Sequence, residues 1–126
     1  MGISNDFGEF VRARRESLGK SLRGLAAEVG IAPAYLFDIE KGNRPAPGKH
    51  LAVLAGGLEL NGEEEARFYD LAGITRNSIS PDLSDYVNKN ELARVALRLA
   101  RDRGISEEKW QKFIDEINMG RQENDD

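Results

Sequence analysis

Cysteine is absent from the 126 residues, which excludes a disulfide framework and any thiolate metal site. Histidine occurs once, as His50; with no serine–aspartate arrangement beside it, it reads as ordinary helix-end chemistry. No apolar run approaches the ~20 residues of a membrane-spanning helix. Alternating stretches of β-branched residues are nearly absent, which argues against a sheet. The loop "GNRPAPG" has glycines but lacks the preceding strand and the lysine of a phosphate-binding loop. The run Glu63-Glu64-Glu65 sits in a first helical turn, where carboxylates complement the helix dipole, so no metal is needed to explain it. No metal, cofactor or catalytic residue is expected, and the chain does not read as an enzyme. "MGISNDFGEF" lacks the basic and apolar regions of a secretory signal, and Asp6 stands where N-myristoylation would need Ser or Thr. The expected location is the cytoplasm, with no membrane partner.

What is present is an ordinary globular balance, 40% apolar and 32% charged, in a length suited to one compact domain or to a small domain with an appended helical piece. Net charge is −4, unlike a protein that coats nucleic acid indiscriminately, but the distribution matters more than the sum. Residues 1–50 hold eight basic side chains (Arg12, Arg14, Arg15, Lys20, Arg23, Lys41, Arg44, Lys49) against six acidic ones. The acidic excess lies in the remainder, so the N-terminal part is the side that can face phosphate.

Helical spacing recurs along the chain. Phe7, Phe10, Val11, Arg14 and Leu18 trace one face of a first helix. Ser21 is an N-cap for a second, with Leu22, Leu25, Ala26 and Val29 as its apolar stripe and Gly30 as its stop. A third starts near Pro33, a residue suited to the first helical position; it buries Leu36 and Ile39, and Phe37 is either core or an exposed apolar residue. Pro47 opens a fourth helix with Leu51, Leu54, Ala55 and Leu58 inward, although Gly56-Gly57 costs roughly 1 kcal/mol per glycine relative to alanine. Asn61 and Glu64 form a capping box for a fifth, with Phe68, Leu71 and Ala72 inward. "GITRNSISPD" breaks the pattern and divides a domain at 1–75 from a C-terminal segment at 80–118. There, Pro81 opens a short helix, Asn90 caps the next, and Ser106 caps the last. The polar, acidic stretch at 119–126 reads as a disordered tail.

Residues 21–42 have the length and turn of a helix-turn-helix. Gly30 suits the positive φ of the turn, and Ala26 must be small where the helices cross. The stretch "SLRGLAAEVGIAPAYLFDIEKGNRP", with Leu25-Ala26, Gly30-Ile31 and the "IEKG" of Ile39 to Gly42, resembles the lambda-repressor-like (Xre/Cro) helix-turn-helix regulators from about Phe7 to Leu71. That resemblance implies an all-α fold: a five-helix DNA-binding domain followed by a small C-terminal helical segment. It implies that Glu40 is tied to an arginine of the first helix, and Arg14, on the apolar side, is the expected partner. It places Ala32, Pro33, Ala34, Tyr35 and Asp38 toward the major groove of double-stranded DNA. Ser21, Arg23, Lys41, Asn43 and Arg44 then fall at phosphate-holding positions.

Two departures bear on function. Leu22 stands where many members have Gln, and Pro33 and Ala34 offer no side-chain donor, although base reading relies on Arg, Lys, Asn and Gln. What remains is a methyl at Ala34, the Tyr35 ring and hydroxyl, and the Asp38 carboxylate. The resemblance implies a transcriptional regulator, a repressor on a short palindromic operator, acting as a homodimer. The alternative is a protein-interaction module on the same fold, antitoxin-like or inhibitory, with weak or no specific DNA binding. In the C-terminal segment, Leu92, Val95, Leu99, Trp110, Phe113 and Ile117 are too many large apolar groups for two short helices to hide alone. They are expected to form a dimer interface or to dock a protein partner.

Overall fold

A computed structural model of the protein describes residues 6–124, with side chains described through residue 120. Among the described residues the fold is all-α, with no strand. Two compact units divide between Tyr86 and Val87. The first holds α1 (Asp6–Ser17), α2 (Leu22–Val29), α3 (Pro33–Glu40), a single 3-10 turn (Gly48–His50), α4 (Leu51–Gly57), α5 (Gly62–Thr75) and the start of α6 (Pro81–Lys89). The second holds the end of α6, α7 (Glu91–Arg103) and α8 (Glu107–Asn124). The stretch expected to be a disordered tail at 119–126 is thus helical as far as Asn124, and 125–126 lie outside the described residues.

The first unit forms because five apolar stripes converge. α1 packs on α3 and α5, while α2 packs on α3 and α4. Phe7, Val11, Leu25, Ala26, Leu36, Ile39, Leu54, Leu58 and Phe68 are all buried. The Phe7 and Phe68 rings lie 5.2 Å apart and tilted, a favourable aromatic geometry. Local signals set the ends. Ser21 Oγ accepts from the Gly24 N–H at 2.9 Å, and Asn61 and Glu64 complete their capping box with two bonds of 3.0 Å. Gly30 closes α2 at φ 82°, a conformation that a side chain would strain. α4 starts later than Pro47 suggests: that proline precedes the 3-10 turn, and the helix begins at Leu51.

Gly57 has a tertiary reason. A Cβ there would stand 2.9 Å from Leu25 Cδ1 and 3.8 Å from Val29 Cγ2, so glycine lets α4 approach α2. The helix propensity it forfeits is offset by packing that a larger residue would push apart.

The expected Arg14–Glu40 pair is not formed. Arg15 holds Glu40 instead, through two bonds of 2.8 and 3.0 Å, and its third nitrogen donates to the Lys20 carbonyl at 2.9 Å. Arg14 points to the other side of α1, donating to the Leu58 and Glu59 carbonyls at 2.8 and 2.7 Å and reaching Glu64 at 3.6 Å. One residue is a 100° turn of the helix, enough to exchange α3 for the end of α4. The Arg15 and Glu40 side chains are 12% and 4% exposed, and the hydrogen bonding that Arg15 donates to the Glu40 carboxylate is the main cause that raises the Arg15 pKa above its ordinary value. Removing one member of such a pair strands the other charge. Glu40→Ala should therefore lower unfolding stability in urea by about 3–5 kcal/mol. Glu16→Ala, which breaks the exposed i,i+4 contact with Arg12, should cost no more than about 0.5 kcal/mol. Equal losses would show that the Arg15–Glu40 pair has no special structural weight.

Candidate nucleic-acid interface

α2 and α3 are joined by a turn whose geometry follows from three residues. The Gly30 and Ile31 N–H groups both donate to the Ala26 carbonyl, at 2.9 and 3.0 Å, which reverses the chain. Ile31 tucks against the core. Ala32 then starts α3 in an extended conformation without a side-chain cap, and Pro33 takes the first helical position. Pro33 has no N–H to leave unsatisfied there. The result is a blunt helix start on which Ala32, Pro33 and Ala34 are all exposed.

The other end of α3 is wired back on itself. The Asn43 N–H donates to the Asp38 carbonyl at 2.8 Å and that of Gly42 to Ile39 at 3.1 Å. These bonds hold Lys41 to Arg44 beside the helix. Two cations are further placed by rings of α3: Arg44 Cζ lies 5.5 Å from the centre of Tyr35, and Lys41 Nζ lies 5.6 Å from that of Phe37. Phe37, undecided from its spacing, is 48% exposed and acts as a platform for Lys41. It also lines a shallow cleft with Leu22, Lys41 and Arg12, which joins the start of α2 to the end of α3.

The basic residues sort into two groups. Arg12, Arg14, Arg15 and Lys20 are each engaged with carboxylates of the same chain. Lys20, for example, reaches Glu28 at 3.0 Å and Glu59 at 3.5 Å, and the Glu28 hydrogen bond is the main cause that raises its pKa. By contrast, Arg23, Lys41, Arg44 and Lys49 form no ion pair among the described residues. Three of these four, Arg23, Lys41 and Arg44, were singled out from the sequence, and all three are exposed.

The structure therefore places the candidate residues in two sets. Ala32, Pro33 and Ala34 form the exposed helix start, with Tyr35 and Asp38 half-buried behind them. Lys41, Asn43 and Arg44 form an exposed loop against α3, and Ser21 and Arg23 are exposed at the start of α2. Two further residues, Phe37 and Arg12, border these sets. Phe37 was legible in principle, since it precedes Lys41 by the four residues that make helical neighbours. Arg12 was not, because only folding brings α1 to the cleft. A double-mutant cycle on Tyr35→Leu and Arg44→Gln should give a coupling of about 0.5–1 kcal/mol in unfolding. Zero coupling would mean that the ring does not hold the guanidinium.

A family profile described as "Helix-turn-helix domain" matches residues 6–68. Two proteins described as uncharacterized HTH-type transcriptional regulators, from two strains of Mycobacterium tuberculosis, are each 31% identical over 80 residues. The aligned part covers 64% of this chain and 55% of each relative, so the chain spans about half the length of these relatives. No solved structure matches the chain at a significant level.

Proposed function

Because the chain belongs to the helix-turn-helix domain family, we propose that it is a DNA-binding transcriptional regulator, a repressor that occupies a short two-fold-symmetric operator as a homodimer in the cytoplasm. The observation that carries this reading is the partition of the cations in residues 1–50. Three of the four left without an internal carboxylate, Arg23, Lys41 and Arg44, stand at the start of α2 and in the loop against α3, where a duplex would supply phosphates. Lys41, Asn43 and Arg44 on one side, and Ser21 and Arg23 on the other, fix the protein on the backbone. α3 lies in the major groove. The Ser21 oxygen already accepts from Gly24, so its hydroxyl hydrogen is what it offers to a phosphate.

Reading of the bases then falls to few groups. Ala34 contacts a thymine methyl, Asp38 accepts from a cytosine amino group, and the remaining preference comes from DNA shape. Tyr35 has a second duty, since its ring holds Arg44. Affinity is correspondingly modest and salt-sensitive.

A second reading, a protein-interaction module with weak or no specific DNA binding, is favoured by one observation: the exposed start of α3 carries no Arg, Lys, Asn or Gln. A salt titration on random-sequence duplex DNA separates the two. The regulator should bind at low salt, and Arg44→Ala should weaken binding evenly across sequences while reducing the log–log salt slope by about 0.9. Selection from a random pool should then enrich a two-fold motif. No binding at low salt, with Arg44→Ala indistinguishable from the parent, would leave the interaction module standing.

A further inference from the structure

Leu92, Val95 and Leu99 on α7 follow a spacing of three and then four, and Trp110, Phe113 and Ile117 on α8 repeat it. That is the seam of a coiled coil. Among the described residues this seam stays largely open: none of α7 or α8 is buried, and Leu92, Leu99, Phe113 and Ile117 are 78%, 49%, 52% and 56% exposed. The two helices share a turn at Gly104-Ile105-Ser106, and Ala96, Ala100, Trp110 and Phe113 line an open groove between them. They do not pack along their lengths.

Charge says what covers the seam. α7 carries four arginines against two carboxylates, whereas α8 carries five carboxylates against three basic residues. The decisive residues stand at equivalent flanks. Arg98 follows Val95 by three and precedes Leu99; Glu116 follows Phe113 by three and precedes Ile117. An antiparallel helix pair sets equivalent flanks opposite each other, and such flanking charges choose the partner. Pairing α7 with α7 would oppose two arginines, and α8 with α8 two glutamates; only α7 with α8 is attractive. Neither Arg98 nor Glu116 forms an ion pair among the described residues.

We infer that the second unit is a self-association module in which α7 of one copy lies antiparallel on α8 of a second copy, with Leu99 facing Phe113 and Arg98 facing Glu116 across the seam. The inference rests on the homodimer reading above and assigns the surface that carries it.

Sedimentation equilibrium of the full chain tests it. The parent should dimerise, and Arg98→Glu should raise the dissociation constant about tenfold, since two like-charge contacts replace two attractive ones. Arg98→Glu/Glu116→Arg should restore the parent value, which also shows that the substituted helices still fold. The lack of cysteine permits a second test by cross-linking. Co-expressed copies carrying Leu99→Cys and, with a different tag, Phe113→Cys should form a mixed disulfide under a mild oxidant. Each variant alone should cross-link poorly. A parent dimer that ignores the charge changes, or that cross-links Leu99→Cys to itself, would overturn this surface and leave the homodimer reading intact. A monomeric parent, in which Leu99→Cys/Phe113→Cys forms its disulfide within one chain, would overturn both.

Discussion

The first unit depends on one buried contact, the pairing of Arg15 with Glu40. It binds three places at once: the last turn of α1, the last residue of α3, and, through the Lys20 carbonyl, the segment leading into α2. A buried ion pair rarely adds much net stability over apolar residues of the same shape, because desolvation offsets the attraction. Its contribution is directional. A guanidinium with three filled donor directions admits one orientation of α3 against α1, and the exposed start with Ala32, Pro33 and Ala34 is at the opposite end of that same short helix. Leu36 and Ile39, packed in the core, then keep α3 from rotating about its own axis.

The same economy of charge explains the surface. Carboxylates of this acidic chain neutralise the cations of α1 and Lys20, and leave those around α3 uncommitted. Two aromatic residues on α3 then take over a role that a carboxylate would spoil. A ring face attracts a cation without cancelling its charge, so Lys41 and Arg44 are held in place yet remain available to phosphate. The aromatic residues thus fit a helix-turn-helix that has few hydrogen-bonding groups for base edges: their burden is positioning.

The two units use apolar residues in opposite ways. In the first, each stripe finds a partner within the chain, and even Phe37 serves a neighbour. In the second, stripes of similar quality remain open, because two helices meeting at one turn cannot enclose six large side chains. The first unit encloses its apolar stripes, and the second leaves its own exposed among the described residues.

Much of this was legible in the sequence. Caps at Ser21, Asn61, Asn90 and Ser106 act through groups within three residues, so their bonds form as the local pattern predicts. Apolar periodicity identified the inward faces of α1 to α5, because a helix must bury whichever stripe it has. The turn at Gly30 and the family resemblance followed from the same short-range information. What the tertiary structure alone decided were choices between near-equivalent neighbours. Whether Arg14 or Arg15 meets Glu40 turns on 100° of helix rotation. Gly57 looks like a defect until α2 is seen against it. Phe37 is platform rather than core because Lys41 folds over it. Local sequence sets which conformations a segment adopts, through bonds that span a few residues; which side chain touches which across the fold depends on the angle and offset at which completed helices pack, and those are settled only when all of them are in place.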